Sequence, residues 1–279
     1  MLENSIRFTC LVPAFNSAST ISLTIQSLLN QTVKDLKVVV LNNGSTDETV
    51  DILEGITDPR LLVISYEHVS SLGESLNRCF NKNLISSKYF SICHADDIYN
   101  ENFVQISIRE MDFFNNPTIL FCLARHINHE GNLIKDPYVS CKNYTNILFP
   151  KYSGFLGVVR ILTWNTLFAP SAVFSTLDIY RYSKFSNILT LYTDAFFWSN
   201  WLLSGYQIRV MNNKLLYYRI HSKQQSSWAR LRVNQFSEIN VFRSLMRDKN
   251  NLIINILILL CFNAHKFLRI IAKLIRFRM

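Results

Sequence analysis

The chain has no GxGxxG run, no CxxC pair and no apolar stretch near the length of a bilayer span. Without the glycine pattern, a strand opening onto a helix has no dinucleotide fingerprint to offer. The six cysteines (Cys10, Cys79, Cys93, Cys122, Cys141 and Cys261) have no regular spacing, and most sit in apolar runs. That pattern suits reduced thiols of a cytosolic protein. The longest apolar run, residues 252–262, has 11 residues and includes Asn255, against the ~20 that a spanning helix needs. At the N-terminus, "MLENSIRFTCLVPAFN" lacks a basic leader and Pro13 interrupts its apolar run, so no secretory signal is expected. Acids are also in short supply: 20 Asp and Glu stand against 29 Lys and Arg, leaving +9. Such an excess suits phosphates, nucleic acid or an acidic membrane surface as partner. No internal repeat or low-complexity linker interrupts the chain.

What is present is a core-forming composition, 49% apolar, and a regular alternation. "RFTCLVPA" (7–14), "LKVVVLNN" (36–43), "RLLVISYE" (60–67) and "KYFSICHADD" (88–97) read as strands. Between them, residues 19–30 place Ile21, Ile25, Leu28 and Leu29 on one helical face. Val50, Leu53 and Ile56 do so after a Ser45–Glu48 capping box, and residues 72–84 look helical. Strand–helix alternation of this kind predicts βαβ units and an α/β fold with a mostly parallel, twisted sheet. Residues 103–116 read as a helix closed by Pro117, and residues 118–134 as two strands turning at Gly131. Residues 136–165 read as an aromatic, irregular loop region, "APSAVFS" as a short strand, and residues 193–206 as a helix. Residues 207–227 read as two short strands and a polar turn, and 228–279 as helical and increasingly basic.

Ligands of open parallel sheets sit beyond the carboxyl ends of the strands. Three polar stretches fall there: Pro13-Ala14-Phe15-Asn16, Asn42-Asn43-Gly44-Ser45 and His94-Ala95-Asp96-Asp97. Adjacent aspartates repel, and burying them unpaired is costly, so either water or a cation must answer them. The plain alternative for the pair is a loop or the cap of the next helix.

"VPAFNSASTISLTIQSLLNQT", "VVVLNNGSTDET", "GESLN", "HADD", "TDAFFWSNWLLSGYQI" and "YRIHSKQQS" follow one another in the order seen in glycosyltransferase family 2. The chain resembles that family over about residues 7–227. The resemblance implies a GT-A fold and an inverting, metal-dependent transfer of sugar from a nucleotide-diphosphate donor to an acceptor hydroxyl. It implies a domain over 1–227, with a nucleotide-sugar half at about 1–102 and an acceptor half at about 103–227, followed by an extension at 228–279.

For individual residues, the resemblance implies that Asp97 and Asp96 hold a divalent metal, Mn2+ or Mg2+. Asp97 is then the direct ligand, with Asp96 nearer the ribose. His94 stands where relatives carry a further acid. Pro13, Ala14 and Phe15 would lie along base and ribose. Asn42 and Asn43 replace an acidic pair that receives the base, which leaves UDP-, dTDP- and GDP-sugars all open. Gly73 and Asn77 would lie below the donor, and His221 would reach the metal or diphosphate. Arg219, Lys223 and Arg230 are lesser candidates for phosphate contact. Asp194 would be the general base, although Asp also suits a helix start on its own account. Phe196, Phe197, Trp198 and Trp201 read as core. His126 and His129 read as non-functional.

The extension has its own pattern. On a helix, Lys266, Arg269, Lys273 and Arg276 recur opposite Phe267, Ile270, Ile271, Leu274 and Ile275, which suits an anionic membrane interface. The expectation is a cytoplasmic protein, peripheral on the inner face of a bacterial membrane through residues 252–279. Its acceptor would be a glycan or lipid-linked glycan of surface polysaccharide such as O-antigen or capsule. Nucleic acid is not an expected partner, because the basic residues concentrate beside apolar runs. A homo-oligomer is compatible with the sequence. A sugar-phosphate nucleotidyltransferase is the enzymatic alternative, but "VPAFNSAST" lacks the Gly-rich basic loop that would grip a triphosphate. An inactive membrane-surface module is the non-enzymatic one; intact Asp96, Asp97 and Asp194 argue against it.

Overall fold

The computed structural model describes residues 6–67, 71–80, 84–114, 117–179, 184–220 and 235–246. The N-terminal half alternates as the sequence predicts: β1 (Phe8–Ala14), α1 (Ile21–Leu29), β2 (Leu36–Asn43), α2 (Thr49–Glu54), β3 (Leu61–Tyr66), α3 (Leu72–Arg78) and β4 (Tyr89–Ile92). β5 (Ile98–Tyr99), α4 (Phe103–Phe113), β6 (Thr118–Ile127), β7 (Leu133–Ile134), α5 (Pro137–Leu148), β8 (Lys151–Ser153) and α6 (Gly154–Thr163) follow. After a 3-10 turn at Ala169–Ser171 come β9 (Val173–Ser175), α7 (Thr176–Ile179), α8 (Thr193–Leu203), β10 (Gln207–Arg219) and α9 (Gln235–Met246).

One mixed sheet runs β3-β2-β1-β4-β9-β6-β10-β5, with β7 added to β6 and β8 to β10. The β3-β2-β1-β4 block and the β6–β10 pair are parallel. β9 enters antiparallel between β4 and β6 and joins the two halves. Val38 to Leu41 of β2 are fully buried, which is why that strand reads as an unbroken apolar run. Register sets Ala14 beside Asn42 and Leu11 beside Ile92, so the three polar stretches emerge at one sheet edge. Two apolar cores form among the described residues, one of them rich in aromatics from β4, β6, β9 and α8. Phe185 and Phe197 stack there with centroids 4.3 Å apart. Phe197, Trp198 and Trp201 are almost fully buried, so the aromatic face of α8 is core.

Four local expectations are corrected. Residues 136–165 are not a loop: they hold α5 and α6. Asp136 caps α5, accepting from the main-chain N–H of Tyr138 at 2.7 Å and of Val139 at 3.3 Å. The inner face of α5 carries buried Asn143 and Asn146, so no apolar 3.6-residue stripe announces the helix. Residues 207–219 are one strand instead of two short ones, with a register shift against β6 at Asn212-Asn213. α2 starts at Thr49 without a Ser45–Glu48 capping box; Asp47 accepts from Thr49 N–H instead, at 3.1 Å. α3 ends at Arg78, before residue 84. The tail at 252–279 lies outside the described residues, and no helix among those residues is long and apolar enough to cross a membrane.

Candidate active site

The sheet edge is held by side chains from the loops themselves. Asn16, in the left-handed region at φ 47°, accepts from Thr46 N–H at 2.8 Å and donates its own N–H to Ser45 Oγ at 3.0 Å. Ser17 N–H donates to Thr49 Oγ1 at 2.8 Å and Ala18 N–H to Asp47 Oδ2 at 3.1 Å. Burial raises the Asp47 carboxyl, yet hydrogen bonds from Thr49 and Ala18 outweigh it and hold Asp47 below its ordinary value. The loop after β1 is thereby fastened to the loop after β2. Ala14 is buried, Pro13 half-buried, and Phe15 presents a ring that is 50% exposed.

The 94–97 loop is fastened from three sides. Thr20 donates its hydroxyl to Ala95 O at 2.9 Å, and the Thr24 hydroxyl is shared between Ala95 O at 3.0 Å and Asp97 O at 2.8 Å. Tyr99 Oη accepts from His94 N–H and donates to Pro170 O, both at 3.0 Å. Arg219, at the end of β10, donates its main-chain N–H to Asp97 Oδ1 at 2.8 Å and its Nε–H to Asp96 O at 2.8 Å. Its Nη1 reaches the carbonyls of Asn128 at 3.0 Å and His129 at 2.7 Å. Arg219 is 1% exposed, so it is built into this loop rather than offered to a phosphate.

These anchors bring ligand atoms of His94, Asp96 and Asp97 within 4.8 Å of one another. Asp97 is buried, and its Oδ2 has no hydrogen-bond partner among the described residues. Burial, then the neighbouring Asp96 charge, pushes the Asp97 carboxyl well above the ordinary aspartate value against the pull of Arg219. Burial also lowers His94 despite Asp96, so its imidazole is neutral at pH 7, the form that ligates metals. Two carboxylates and a neutral imidazole, with one buried carboxylate oxygen lacking any partner, make a donor set that fits a divalent cation. Asp97 commits one oxygen to Arg219, and Asp96 is the less buried of the two carboxylates.

Asp194 sits in the first turn of α8, where its Oδ1 accepts from Ala195 N–H at 2.7 Å. It lines a small cleft, about 30 Å³, together with His94, Leu76, Phe174, Phe185 and Trp198. Gly73 and Asn77 act on the approach to α8. A Cβ at Gly73 would stand 2.1 Å from Ser186 O. Asn77 accepts from Phe185 N–H at 2.8 Å and donates to Phe185 O at 3.0 Å and Asn187 Oδ1 at 3.1 Å. Their described contacts are with residues 185–187, so they position the segment before Asp194.

Asn42 accepts from Ser45 N–H at 3.1 Å and donates to Ser65 Oγ at 3.2 Å. Asn43 donates to Ser75 Oγ at 2.9 Å and accepts from Arg78 Nη1 at 3.0 Å. Both asparagines are buried, so their amides serve the loop. The Arg78 guanidinium, 4.4 Å from the Tyr66 ring centroid, is a cation at this edge that the sequence reading passed over. Asp47 and the anchoring part of Arg219 were passed over too; the carboxylate in "NGSTD" was the available signal for Asp47. His126 Nδ1 lies 3.3 Å from Asp136 Oδ2, away from the cleft residues. His221, Lys223 and Arg230 lie outside the described residues.

A family model described as glycosyl transferase family 2 matches residues 9–163, more than half of the chain. An uncharacterized glycosyltransferase of Rickettsia prowazekii is 24% identical over 278 residues, covering 95% of this chain and 79% of its own length. The Escherichia coli UDP-Glc:alpha-D-GlcNAc-diphosphoundecaprenol beta-1,3-glucosyltransferase WfaP is 23% identical over 240 residues, covering 86% of this chain and 83% of its own. Among solved structures, TarS residues 1–349 of S. aureus in complex with UDP-GlcNAc superposes with a TM-score of 0.65 at 18% identity. That match covers 85% of this chain and 64% of the other.

Proposed function

The chain belongs to glycosyl transferase family 2 and has a GT-A fold, and from that premise we propose that it transfers one sugar, with inversion, from a nucleotide-diphosphate donor to a lipid-linked glycan in bacterial surface polysaccharide synthesis. The observation that carries this reading is the cleft shared by His94 and Asp194 at the carboxyl edge of the parallel strands. His94 belongs to the group that could hold a cation, and Asp194 is a carboxylate on the first turn of a helix. The lipid-linked acceptor is supported by the likeness to WfaP over most of both chains.

In this reading Pro13, Ala14 and the exposed ring of Phe15 lie along base and ribose, beside the loop that Asn42 and Asn43 brace. Arg78 adds positive charge at the same edge. His94, Asp96 and Asp97 would hold Mn2+ or Mg2+, whose charge offsets the negative charge growing on the leaving diphosphate. Asp194 takes the proton of the acceptor hydroxyl as that oxygen bonds the anomeric carbon. The sugar–phosphate electron pair departs with the diphosphate, so one base suffices and no acid is needed at the leaving group. Residues 1–227 are the transferase unit, and residues 252–279 hold it against the inner face of the cytoplasmic membrane.

The test is thermal melting with Mn2+ and UDP, dTDP or GDP, followed by donor hydrolysis and transfer assays. One nucleotide diphosphate is expected to raise the melting temperature. Asp194→Asn is expected to keep that shift while transfer falls roughly 10²–10⁴-fold. Full transfer by Asp194→Asn removes Asp194 from the base role; no stabilisation by any nucleotide diphosphate removes the donor reading.

A further inference from the structure

Helix α5 is amphipathic in the reverse sense. A helix on the surface of a water-soluble domain turns its apolar stripe inward and its polar face outward. Here the inward face holds two asparagines beside a single apolar residue, Val139. Asn143 accepts from Ala124 N–H at 3.2 Å and donates to Ala124 O at 2.7 Å, fixing α5 to β6. Asn146 donates to Thr166 O at 3.0 Å and accepts from Tyr152 Oη at 2.9 Å. The outward face carries Tyr144, Ile147 and Leu148, at i, i+3 and i+4, which are 63%, 43% and 52% exposed.

The exposed apolar surface continues past the helix. Phe149 is 61% exposed, and in the first turn of α6 Phe155 is 36% and Leu156 80% exposed. The two helices are tied at this place, because Arg160 of α6 donates to Phe149 O at 2.5 Å and to Asn146 Oδ1 at 3.1 Å. Six exposed large apolar side chains within residues 144–156 form a concentration that a domain surrounded by water has no reason to keep.

Charge selects the occupant. Residues 137–177 contain no Asp or Glu but include Lys142, Lys151 and Arg160. Lys151 is exposed between Phe149 and Phe155. We propose that the face built from the end of α5, β8 and the start of α6 docks into an anionic phospholipid surface, with its aromatic and aliphatic side chains in the headgroup boundary and the exposed Lys151 among the lipid phosphates. Apolar area and positive charge favour the same placement. The basic residues Lys266, Arg269, Lys273 and Arg276 have the same sign as this face, so one anionic surface attracts both. The inference deepens the lipid-linked acceptor reading: it adds a contact made by the transferase domain itself, apart from the tail. Vesicle binding is measured without donor or acceptor, so its failure leaves the transfer reading standing.

The full chain is mixed with vesicles of phosphatidylcholine alone or with phosphatidylglycerol, and hydrogen exchange is followed segment by segment beside vesicle sedimentation. Slowed exchange within residues 137–163 is expected on the phosphatidylglycerol vesicles, weakened by salt. The combined substitution Leu148→Ser, Phe149→Ser and Leu156→Ser is expected to weaken sedimentation roughly ten-fold or more, with an unchanged circular dichroism spectrum because all three side chains are exposed. Unchanged binding by that variant overturns the proposal, as does protection confined to segments outside 137–163. Protection that grows with protein concentration in the absence of lipid assigns the face to a second copy of the chain and overturns it equally.

Discussion

Two substitutions at Asp97 separate its structural work from its work for a cation. Asp97 Oδ1 accepts the buried main-chain N–H of Arg219 at 2.8 Å, while Oδ2 has no partner among the described residues. Asp97→Ala removes the acceptor, and the loss of one buried hydrogen bond at this place costs about 1–3 kcal/mol. For a chain of this size each kcal/mol moves the melting temperature by about 2–4 °C, so the alanine protein should melt about 2–12 °C lower without metal. Asp97→Asn keeps an oxygen at the Oδ1 position and deletes a charge that burial already disfavours; its metal-free melting should equal or exceed that of the parent. Mn2+ at about a hundred times its dissociation constant adds about 2.7 kcal/mol to the parent protein, a rise of about 5–11 °C. The asparagine protein should show a small fraction of that rise. Differential scanning fluorimetry with EDTA and then a Mn2+ titration reads all three quantities. A full Mn2+ shift in Asp97→Asn, or equal metal-free melting of the alanine and asparagine proteins, refutes this account of the residue.

Three further outcomes are expected. An imidazole donor favours Mn2+ over Mg2+, so Mn2+ should stabilise the parent more than Mg2+ does, and His94→Asp should narrow that gap in parallel titrations; an unchanged ratio would remove His94 from the donor set. Gly73→Ala sets a Cβ 2.1 Å from a main-chain oxygen, so it should cost about 1–3 kcal/mol and shift the segment leading to Asp194, read by urea unfolding beside turnover. Asp112 is held below the usual carboxylate value by hydrogen bonds from Lys88 and then Tyr89. A depressed folded-state value gives stability above the unfolded value of about 3.9 that disappears as pH falls through the folded value. With both partners largely exposed, screening limits this to about 0.5 kcal/mol, so Asp112→Asn should unfold slightly earlier in urea at neutral pH and indistinguishably from the parent in strong acid.

Much of the site's neighbourhood was legible because its signals are local. The β-branched run of β2, the stripe of α1 and the aspartates following β4 each declare themselves within about ten residues, since strand and helix periods act over that distance. Helix α5 was not legible for a related reason: beside Val139 its buried face is made of asparagines bonded to β6 and to the loop at Thr166, and such partners leave no periodic mark. Residues 207–219 similarly read as two strands, because the register shift at Asn212-Asn213 that keeps them one depends on pairing with β6.

By itself the sequence determined the alternation of strands and helices, the edge at which polar loops collect, and the family resemblance, because each depends on neighbouring residues or on motif order. Only the tertiary structure decided which of those residues meet. β9 inserts antiparallel between β4 and β6, and that one strand order brings Arg219 to Asp97 and Asp194 into the cleft of His94. The same packing sets Gly73 and Asn77 against residues 185–187 and Arg219 against the 94–97 loop. Convergence across more than a hundred residues follows from sheet order and close packing, and no short stretch of chain carries either.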